Sequence, residues 1–165
     1  MEPRKKYKVA LWVMLLVGLG SCQNTTEYIA YQSISKEGMS TSPYVFDVSD
    51  FAFETKPYNL YVRLRNDNSY PFTNIFLLCS LKAGNEFVFQ DTLEYAMAAP
   101  DGTWLGKGFT EVKESKLWWK EGFEMPSDQP LLIEISQAMR NNGTASGVAM
   151  LKGIVSVGVS VEGQE

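Results

Sequence analysis

The sequence YNLYVRLR at residues 58–65 alternates without a break. One set of positions carries Tyr58, Leu60, Val62 and Leu64, and the set between them carries Asn59, Tyr61, Arg63 and Arg65. Successive side chains of a β-strand point to opposite faces, so this pattern predicts a half-buried strand whose first set faces an apolar core. The segment decides the fold class because much of the chain around it shows the same kind of pattern.

Short segments of similar character flank this strand on both sides, at 43–53, 72–81, 86–93, 111–120, 130–136 and 153–161. Turn-forming residues separate them, as in NDNS at 66–69 and PDG at 100–102, where proline fixes φ and glycine accepts a positive φ. Residues 72–81 are apolar on both faces and predict a central strand. In the last segment, Val155, Val157, Val159 and Val161 are expected to share one face.

Two segments allow more than one interpretation. Residues 111–120 carry charges compatible with a helix, but the Trp118-Trp119 pair favours a strand, and residues 137–140 indicate a single helical turn before a reversal at 141–143. About seven to nine short strands predict an all-β fold, a single antiparallel β-sandwich or jelly-roll-like domain over residues 28–165. A parallel α/β fold is disfavoured because the connecting helices are missing.

The composition fits one domain and narrows its chemistry. The chain has 165 residues, 45% of them hydrophobic, which is enough for one apolar core. Its net charge is -4, with 15 basic against 19 acidic residues, which argues against a nucleic-acid partner. It has no histidine, so the commonest general base and zinc ligand are missing.

The first 22 residues have the order of a bacterial lipoprotein signal peptide. Four basic residues lie between Arg4 and Lys8, an uncharged apolar run covers residues 9–18, and Leu19-Gly20-Ser21-Cys22 follows. The run is too short to span a bilayer, which needs about 20 residues, but it suits a secretory signal. We therefore predict a signal peptide at 1–21, cleavage between Ser21 and Cys22, and diacylation of the Cys22 sulfur. The alternatives are an ordinary signal peptide with a coincidental cysteine, or a cytoplasmic chain with an apolar N-terminus.

Acylated Cys22, followed by a short polar tether to residue 27, would join the domain to a lipid bilayer. Each buried CH₂ of an acyl chain contributes about 0.8 kcal/mol, so two chains anchor a protein durably. Removing residues 1–21 takes away four basic residues and one acidic residue and leaves a net charge of -7. A domain this acidic is not attracted to an anionic membrane by its own charge, so the lipid would be the anchor.

Motifs that carry catalysis are missing from the sequence. It contains neither HExxH nor CxxC, and GTWLGK at 102–107 is one residue too short for a phosphate loop. Cys79 lies in an apolar run and is expected to be a buried structural residue. The oxygen-bearing groups NDN at 66–68 and the pair Asp47 and Asp50 fall short of a calcium loop. No catalytic residue, cofactor or metal ligand is predicted, and a hydrolase with paired carboxylates is the remaining catalytic alternative.

Aromatic residues are the candidates for recognition. Most aromatic side chains of an all-β domain fill its core, but Trp118 and Trp119 would point to opposite faces of a strand, so one of them is expected outward. Trp104, Lys107 and Trp118 form the candidate interaction surface. They would act as anchors for a protein partner, or as part of a stacking platform for sugar rings.

Four segments, at 58–82, 91–126, 134–143 and 151–162, resemble the gliding motility lipoprotein GldH family of Bacteroidota. DGTWLGKG at 101–108 and EISQAMR at 134–140 carry the likeness best. The resemblance implies an accessory lipoprotein of the gliding and type IX secretion apparatus, with envelope protein partners and no catalytic residues to carry over. Relatives in non-motile Bacteroidota leave the process open.

The residues after Cys22 bear on location and lead to two hypotheses. QNTTE at 23–27 lacks the acidic cluster that resembles a surface-export tag in this phylum, which favours the periplasmic face of the outer membrane. The first hypothesis is a non-catalytic, lipid-anchored interaction module of the cell envelope. The second is an envelope glycan-binding module. Two outward, coplanar aromatic rings in one groove would favour the second hypothesis, whereas burial of Trp104, Trp118 and Trp119 would exclude it.

Overall fold

The computed structural model describes residues 26–141, 143 and 146–164. The strands in these ranges are β1 (Thr26–Ser33), β2 (Met39–Ser40), β3 (Tyr44–Asp47), β4 (Pro57–Asn66), β5 (Asn74–Ala83), β6 (Glu86–Ala96), β7 (Lys113–Glu124), β8 (Leu131–Gln137), β9 (Met150–Leu151) and β10 (Ile154–Gly163). The described residues contain no helix.

Two four-stranded antiparallel sheets build the domain. Sheet 1 has the strand order β1-β10-β4-β7, sheet 2 has the order β3-β8-β5-β6, and the two-residue strands β2 and β9 pair with each other. The predicted all-β sandwich is therefore confirmed. The strand predicted as central, β5, lies between β8 and β6, and the ambiguous segment at 111–120 belongs to β7 and is a strand.

The core lies between the two sheets. The predicted inward set of β4, Tyr58, Leu60, Val62 and Leu64, is fully buried, as are Ile75, Leu77 and Leu81 of β5. Burying an aliphatic side chain of this size contributes roughly 2 kcal/mol. Cys79 lies in the same layer and is fully buried. Burial, with the charge of Asp91 adding to it, raises the pKa of the Cys79 thiol, so the group stays protonated.

A β-bulge changes the predicted face of β10. Ile154 pairs with Asn66 and Ser156 pairs with Arg65, so Val155 is an extra residue between them. Val157, Val159 and Val161 are fully buried as predicted, but Val155 is only half-buried and Ile154 takes its place in the core. The prediction that Val155 shares the face of the other three valines was wrong.

The helical turn predicted at 137–140 was also wrong. Gln137 is the last residue of β8. Its side chain accepts a hydrogen bond from the Met139 amide (2.8 Å) and donates one to the Val148 carbonyl (2.5 Å). These bonds to the main chain replace those that a helical turn would supply, and Arg140 instead forms a bridge with Gly147.

Three of the strands were not predicted, and a fourth is shorter than the segment that was predicted for it. β1, β2 and β9 were not predicted, and Thr26 and Glu27, which we placed in the tether, are strand residues. Of residues 43–53, only Tyr44–Asp47 form a strand. The chain beyond Asp47 turns, because the Ser49 amide donates a hydrogen bond to the Asp47 carboxylate (2.9 Å).

One open side of the sandwich is closed between β6 and β7. The Tyr95 hydroxyl of β6 donates a hydrogen bond to the Trp118 carbonyl of β7. The Trp119 indole nitrogen donates to the Asp91 carboxylate (3.1 Å), which also pairs with Lys120 (3.1 Å). These contacts link the two sheets and occupy part of two exposed strand edges.

The other open side is closed between β1 and β3. The Tyr28 hydroxyl donates a hydrogen bond to the Asp47 carbonyl (3.3 Å), and the Gln32 side-chain amide donates to the Val45 carbonyl (2.6 Å). Side chains thus bridge the two sheets along both sides, from sheet 1 to main-chain carbonyls of sheet 2 at β1 and β3, and from Tyr95 of sheet 2 to a main-chain carbonyl of sheet 1 at β7. The ends of the sandwich, where the loops lie, are the surfaces that these contacts leave open.

Candidate functional site

The longest loop of the domain lies at the end opposite the start of β1. Thr26 pairs with Glu162, and Ser33, at the other end of β1, pairs with Ser156. The eight residues of β1 separate the two ends by roughly 25 Å at about 3.3 Å per residue. We call the end opposite Thr26 the far end. Its connections are residues 34–38, 67–73, 97–112 and the described parts of 138–149.

The predicted turn at Pro100-Asp101-Gly102 is present at the far end. The Gly102 amide donates a hydrogen bond to the Ala99 carbonyl (2.9 Å), and Gly102 has a φ of 86°. The Thr103 amide donates to the Asp101 carboxylate (2.9 Å), a bond that lowers the pKa of this carboxyl group. The turn sends the chain back along residues 97–99.

Trp104 follows this turn and packs against the body of the domain. Its side chain is half-buried. Its ring lies 6.1 Å from that of Tyr70, and its indole nitrogen donates a hydrogen bond to the Asn68 side chain (3.1 Å). Trp104 thus connects the 97–112 loop to the 67–73 loop, and only part of its ring faces solvent.

Two glycines then bring the loop against the start of β7. The Lys107 amide donates a hydrogen bond to the main-chain carbonyl of Glu114, and the Lys107 carbonyl accepts one from the Glu114 amide (2.8 Å each). A Cβ at position 106 would lie 2.9 Å from the Ser115 hydroxyl oxygen, and one at position 108 would lie 2.4 Å from the Val112 carbonyl oxygen. Both distances are too short, so side chains at 106 and 108 would push the loop away from the strand.

The three larger residues that alternate with these glycines are exposed to solvent. Leu105 is 55% exposed and Phe109 is fully exposed, and Lys107 is exposed as well. The Lys113 ammonium group donates to the carbonyls of Gly108 (2.7 Å) and Thr110 (2.8 Å). The loop therefore presents two apolar side chains and a lysine on a main chain that is held in place.

A groove separates this loop from the outer surface of sheet 1. Its volume is about 620 Å³, and its walls include Leu105, Lys107 and Phe109 of the loop and Arg63, Glu114 and Lys116 of the strands. We call it the edge groove. It combines apolar and cationic side chains in a chain whose net charge is negative.

Charged side chains form a connected layer on the outer surface of sheet 1. Arg63 pairs with Glu114 (3.5 Å) and Glu162 (3.2 Å), and Lys116 pairs with Glu162 (2.6 Å). Arg65 donates to the other oxygen of Glu114 (2.8 Å). We call these five residues the ionic layer. The side chains of Arg63 and Glu162 are only 15% and 11% exposed, so the layer is well shielded from water.

Glu114 occupies the centre of the ionic layer. Burial by itself would raise the pKa of its carboxyl group, but the hydrogen bonds from Arg65 and Tyr31 and the two guanidinium charges outweigh burial and lower it. The Tyr31 hydroxyl donates to the carboxylate at 2.8 Å. Its ring lies beside Gly158, where a Cβ would come within 2.6 Å of it, so glycine at this position makes room for the ring.

Trp118, the third predicted contact residue, lies elsewhere on sheet 1. It is 45% exposed, whereas Trp119 is 5% exposed, so the prediction that one of the pair points outward is confirmed. Trp118 lies four positions along β7 from Glu114, where the loop is attached, which is a distance of roughly 13 Å. Trp104 and Lys107 thus share a loop, and Trp118 lies apart from them.

The ring geometry does not form a platform for sugar rings. Trp118 meets Tyr61 edge-on, with the two planes at 89°. Trp104 and Tyr70 are tilted by 50°. Coplanar outward rings, the arrangement that would favour the glycan hypothesis, are found at neither tryptophan.

A second groove lies at the far end on the outer surface of sheet 2. It has a volume of about 1040 Å³, and its apolar wall includes Phe72, Phe76 and Leu78. Asn74 and Arg140 contribute polar groups to it. This larger groove is less charged than the edge groove.

The oxygen-bearing groups that we considered for calcium serve the loops themselves. Asp67 accepts hydrogen bonds from the Ser69 amide (2.8 Å) and hydroxyl (2.6 Å), and Asn68 accepts from Trp104. Within the described ranges, no group of three or more Cys, Asp or Glu residues is placed to hold a metal ion.

The predicted anchor lies outside the described residues. Ser21 and Cys22, and with them the predicted cleavage and acylation, precede Thr26. In the part of the chain that the structure describes, no helix is long and apolar enough to cross a membrane.

Leu105 and Phe109, the most exposed large apolar residues of the 97–112 loop, were not among the predicted contact residues. A signal for them was present in WLGKGF at 104–109, where glycines alternate with larger side chains. Such alternation places the glycines on one side and the larger residues on the other.

Comparison with known proteins gives matches over nearly the whole described domain. A family model described as GldH lipoprotein matches residues 26–161. A gliding motility lipoprotein GldH homolog from Christiangramia forsetii is 38% identical over 159 residues, covering 96% of this chain and 97% of that protein. The gliding motility lipoprotein GldH of Flavobacterium johnsoniae is 41% identical over 144 residues, covering 87% and 89%. Dimeric latent PorU from Porphyromonas gingivalis is 10% identical with a TM-score of 0.33, covering 83% of this chain and 13% of that structure, which is too low to support an argument.

Proposed function

The chain belongs to the GldH lipoprotein family, and we propose that it is a non-catalytic, membrane-anchored accessory protein that binds envelope protein partners with its far end. Two relatives carry the name gliding motility lipoprotein GldH, which supports a role in gliding motility. The finer proposal is that the partners belong to the gliding and type IX secretion apparatus.

The observation that carries this proposal is the exposure of Leu105 and Phe109 on a held loop. Both side chains are at least half exposed, while Lys113 fixes the main chain beside Phe109. Covering large apolar side chains with a partner removes them from water and favours binding. A loop that is already ordered before binding loses less conformational entropy when the partner binds.

The geometry of the two ends fits an anchor at Cys22. Three residues lie between Cys22 and the start of β1 at Thr26, so a bilayer that holds Cys22 would face the end of the sandwich at Thr26. The far end would then face away from that bilayer, roughly 25 Å beyond the end at Thr26. We propose that the protein hangs from the periplasmic face of the outer membrane and presents the far end to its partners.

The proposal is tested in the bacterium that encodes this chain. Chromosomal replacements would give Cys22→Ser, a Leu105→Ser and Phe109→Ser double variant, and Phe87→Ser as matched control. Phe87 is 55% exposed but lies beside the β5–β6 turn, at the end near Thr26. Colony spreading and secretion of a type IX cargo protein are measured separately, with protein amounts checked by immunoblotting.

We expect the Cys22 variant and the double variant to lose spreading, secretion or both, and Phe87→Ser to behave as wild type. The two readouts tell motility from secretion. Normal function of the released Cys22→Ser protein would refute the role of the anchor. Normal function of the double variant at wild-type amounts would refute the role of the far end.

A further inference from the structure

We infer that the edge groove binds an extended, acidic segment of a partner protein, with the partner's apolar side chains against Leu105 and Phe109 and its carboxylates against Lys107 and Lys116. This inference rests on the proposed function and specifies the chemistry of the partner.

The charge around the groove is opposite to that of the domain. Residues 22–165 carry 11 basic and 18 acidic residues once the four basic residues and one acidic residue before them are set aside. Five of those basic side chains and three of the acidic ones lie in or beside the edge groove, and Glu114 is one of its lining residues. The basic residues are Arg63, Arg65, Lys107, Lys113 and Lys116, and the acidic residues are Glu111, Glu114 and Glu162. A local positive region on an acidic protein selects for a negatively charged partner.

Lys107 is the cation most open to a partner. Its main chain is fixed by two hydrogen bonds to Glu114 (2.8 Å each), whereas its side chain is exposed. Lys116 already pairs with Glu162, but its side chain is 38% exposed, which leaves room for its ammonium group to pair with a second carboxylate. Together they place positive charge on both walls of the groove.

The apolar walls favour a protein segment over the other anionic surfaces of an envelope. Leu105 and Phe109 offer aliphatic and aromatic contacts separated by a lysine, which matches a peptide with alternating apolar and acidic side chains. Neither pairs with a coplanar ring that would stack a sugar. An anionic bilayer is the third possibility, but the anchor that we propose would hold its own bilayer at the opposite end of the molecule.

Site-specific photocrosslinking tests the inference on the full-length, lipid-bearing protein in cells. p-Benzoylphenylalanine replaces Phe109 in one strain and Phe87 in the matched control, and the crosslinked products are sequenced by mass spectrometry. We expect position 109 to crosslink to a protein segment in which Asp or Glu neighbours apolar residues, and position 87 not to crosslink to that segment.

Charge reversal at Lys107 then tests recognition. With the crosslinker at 109, Lys107→Glu should reduce the yield about tenfold, as expected for a like charge placed opposite a carboxylate, whereas Lys107→Arg should stay within about twofold of the parent. The yield should also fall as salt is raised during irradiation of permeabilised cells.

Several outcomes would overturn the inference. These are crosslinks from position 109 to lipid or glycan, crosslinks to a neutral or basic protein segment, a yield that Lys107→Glu leaves unchanged, or no product at all. Crosslinkers placed at Leu78 in the second groove and at Met150 distinguish a failure of the edge-groove inference from a failure of the proposed function. Protein crosslinks from those positions would leave the far end as the binding end and place the contact outside the edge groove.

Discussion

The ionic layer and the loop at residues 104–109 use the same kinds of side chain in opposite ways. In the layer, Arg63 and Glu162 are 15% and 11% exposed, and each has a charged partner within the chain. In the loop, Lys107 and Phe109 are exposed, and it is the main chain that is held. A charge that is neutralised within the fold stabilises it, and a side chain that the fold orders without covering is available to another molecule. The difference separates Arg63 and Glu162, whose charges stabilise the fold, from Lys107 and Phe109, for which we propose a role in recognition.

The largest effect should come from the framework on which both regions rest. Gly153, between β9 and β10, has a φ of 81°, and a Cβ there would lie 2.2 Å from the Tyr70 amide nitrogen. Gly153→Ala should lower the free energy of unfolding by about 3–5 kcal/mol, because backbone strain and a main-chain clash add together. Urea titration followed by tryptophan fluorescence measures the loss.

Gly102→Ala is the matched control for this substitution. Gly102 has a φ of 86° with nothing within 4 Å of a Cβ, so only the strain of positive φ remains, about 1–2 kcal/mol. Equal losses at the two positions would show that the contact with Tyr70 contributes nothing.

A second prediction tests the shielded part of the ionic layer. Arg63→Met should cost about 2–3 kcal/mol of stability, because it leaves Glu162 shielded from water and short of one of its cations. Arg65→Met should cost less than about 1 kcal/mol, since Arg65 is 41% exposed. If the two variants unfold at the same urea concentration, shielding from water does not set how much a charged residue of the layer contributes to stability.

A third prediction uses the lowered pKa of Glu114. A carboxyl group whose pKa is lower in the folded state stabilises the protein above its ordinary pKa of 4.5, and the contribution is lost as the pH falls through the folded value. The stability gap between wild type and Glu114→Gln should therefore be constant from about pH 5 to 7 and shrink below about pH 4.5. Urea midpoints across this range measure it.

The Arg65→Met background supplies the control for the pH dependence. The hydrogen bond from Arg65 is the strongest of the contacts that lower the pKa of Glu114. Without it, the change of the gap with pH should be smaller. A gap that grows as the pH falls would contradict the assignment.

The sequence predicted the fold well where one face of a strand is buried and the other is not. The alternation at 58–65 placed the buried set of β4 correctly because burial and strand period coincide there. It misplaced Val155 because a bulge inserts one residue without leaving a local signal. It predicted a helical turn at 137–140 wrongly because the Gln137 side chain, at the end of β8, donates its hydrogen bond to Val148, eleven residues away.

The candidate site was predicted less completely than the fold. Trp104 and Lys107 were chosen for their residue type, and the structure places both on the far-end loop. Leu105 and Phe109 were missed because an apolar residue in a sequence is expected to be buried, and only the close approach of Gly106 and Gly108 to β7 turns their side chains outward. The charge of the edge groove depends on pairing between β4, β7 and β10, which one sequence does not show.

The smallest effect on stability should come from the loop itself. Phe109 is fully exposed, so Phe109→Ser removes no buried contact and should change the free energy of unfolding by less than about 0.5 kcal/mol. The same variant, combined with Leu105→Ser, is the one expected to lose function in cells. A loss of stability above about 1 kcal/mol would show that Phe109 packs against the domain. Phe109 would then belong with the residues that stabilise the fold, as those of the ionic layer do. An unchanged urea midpoint together with lost spreading or secretion would mean that the exposed side chains act on a molecule other than this one.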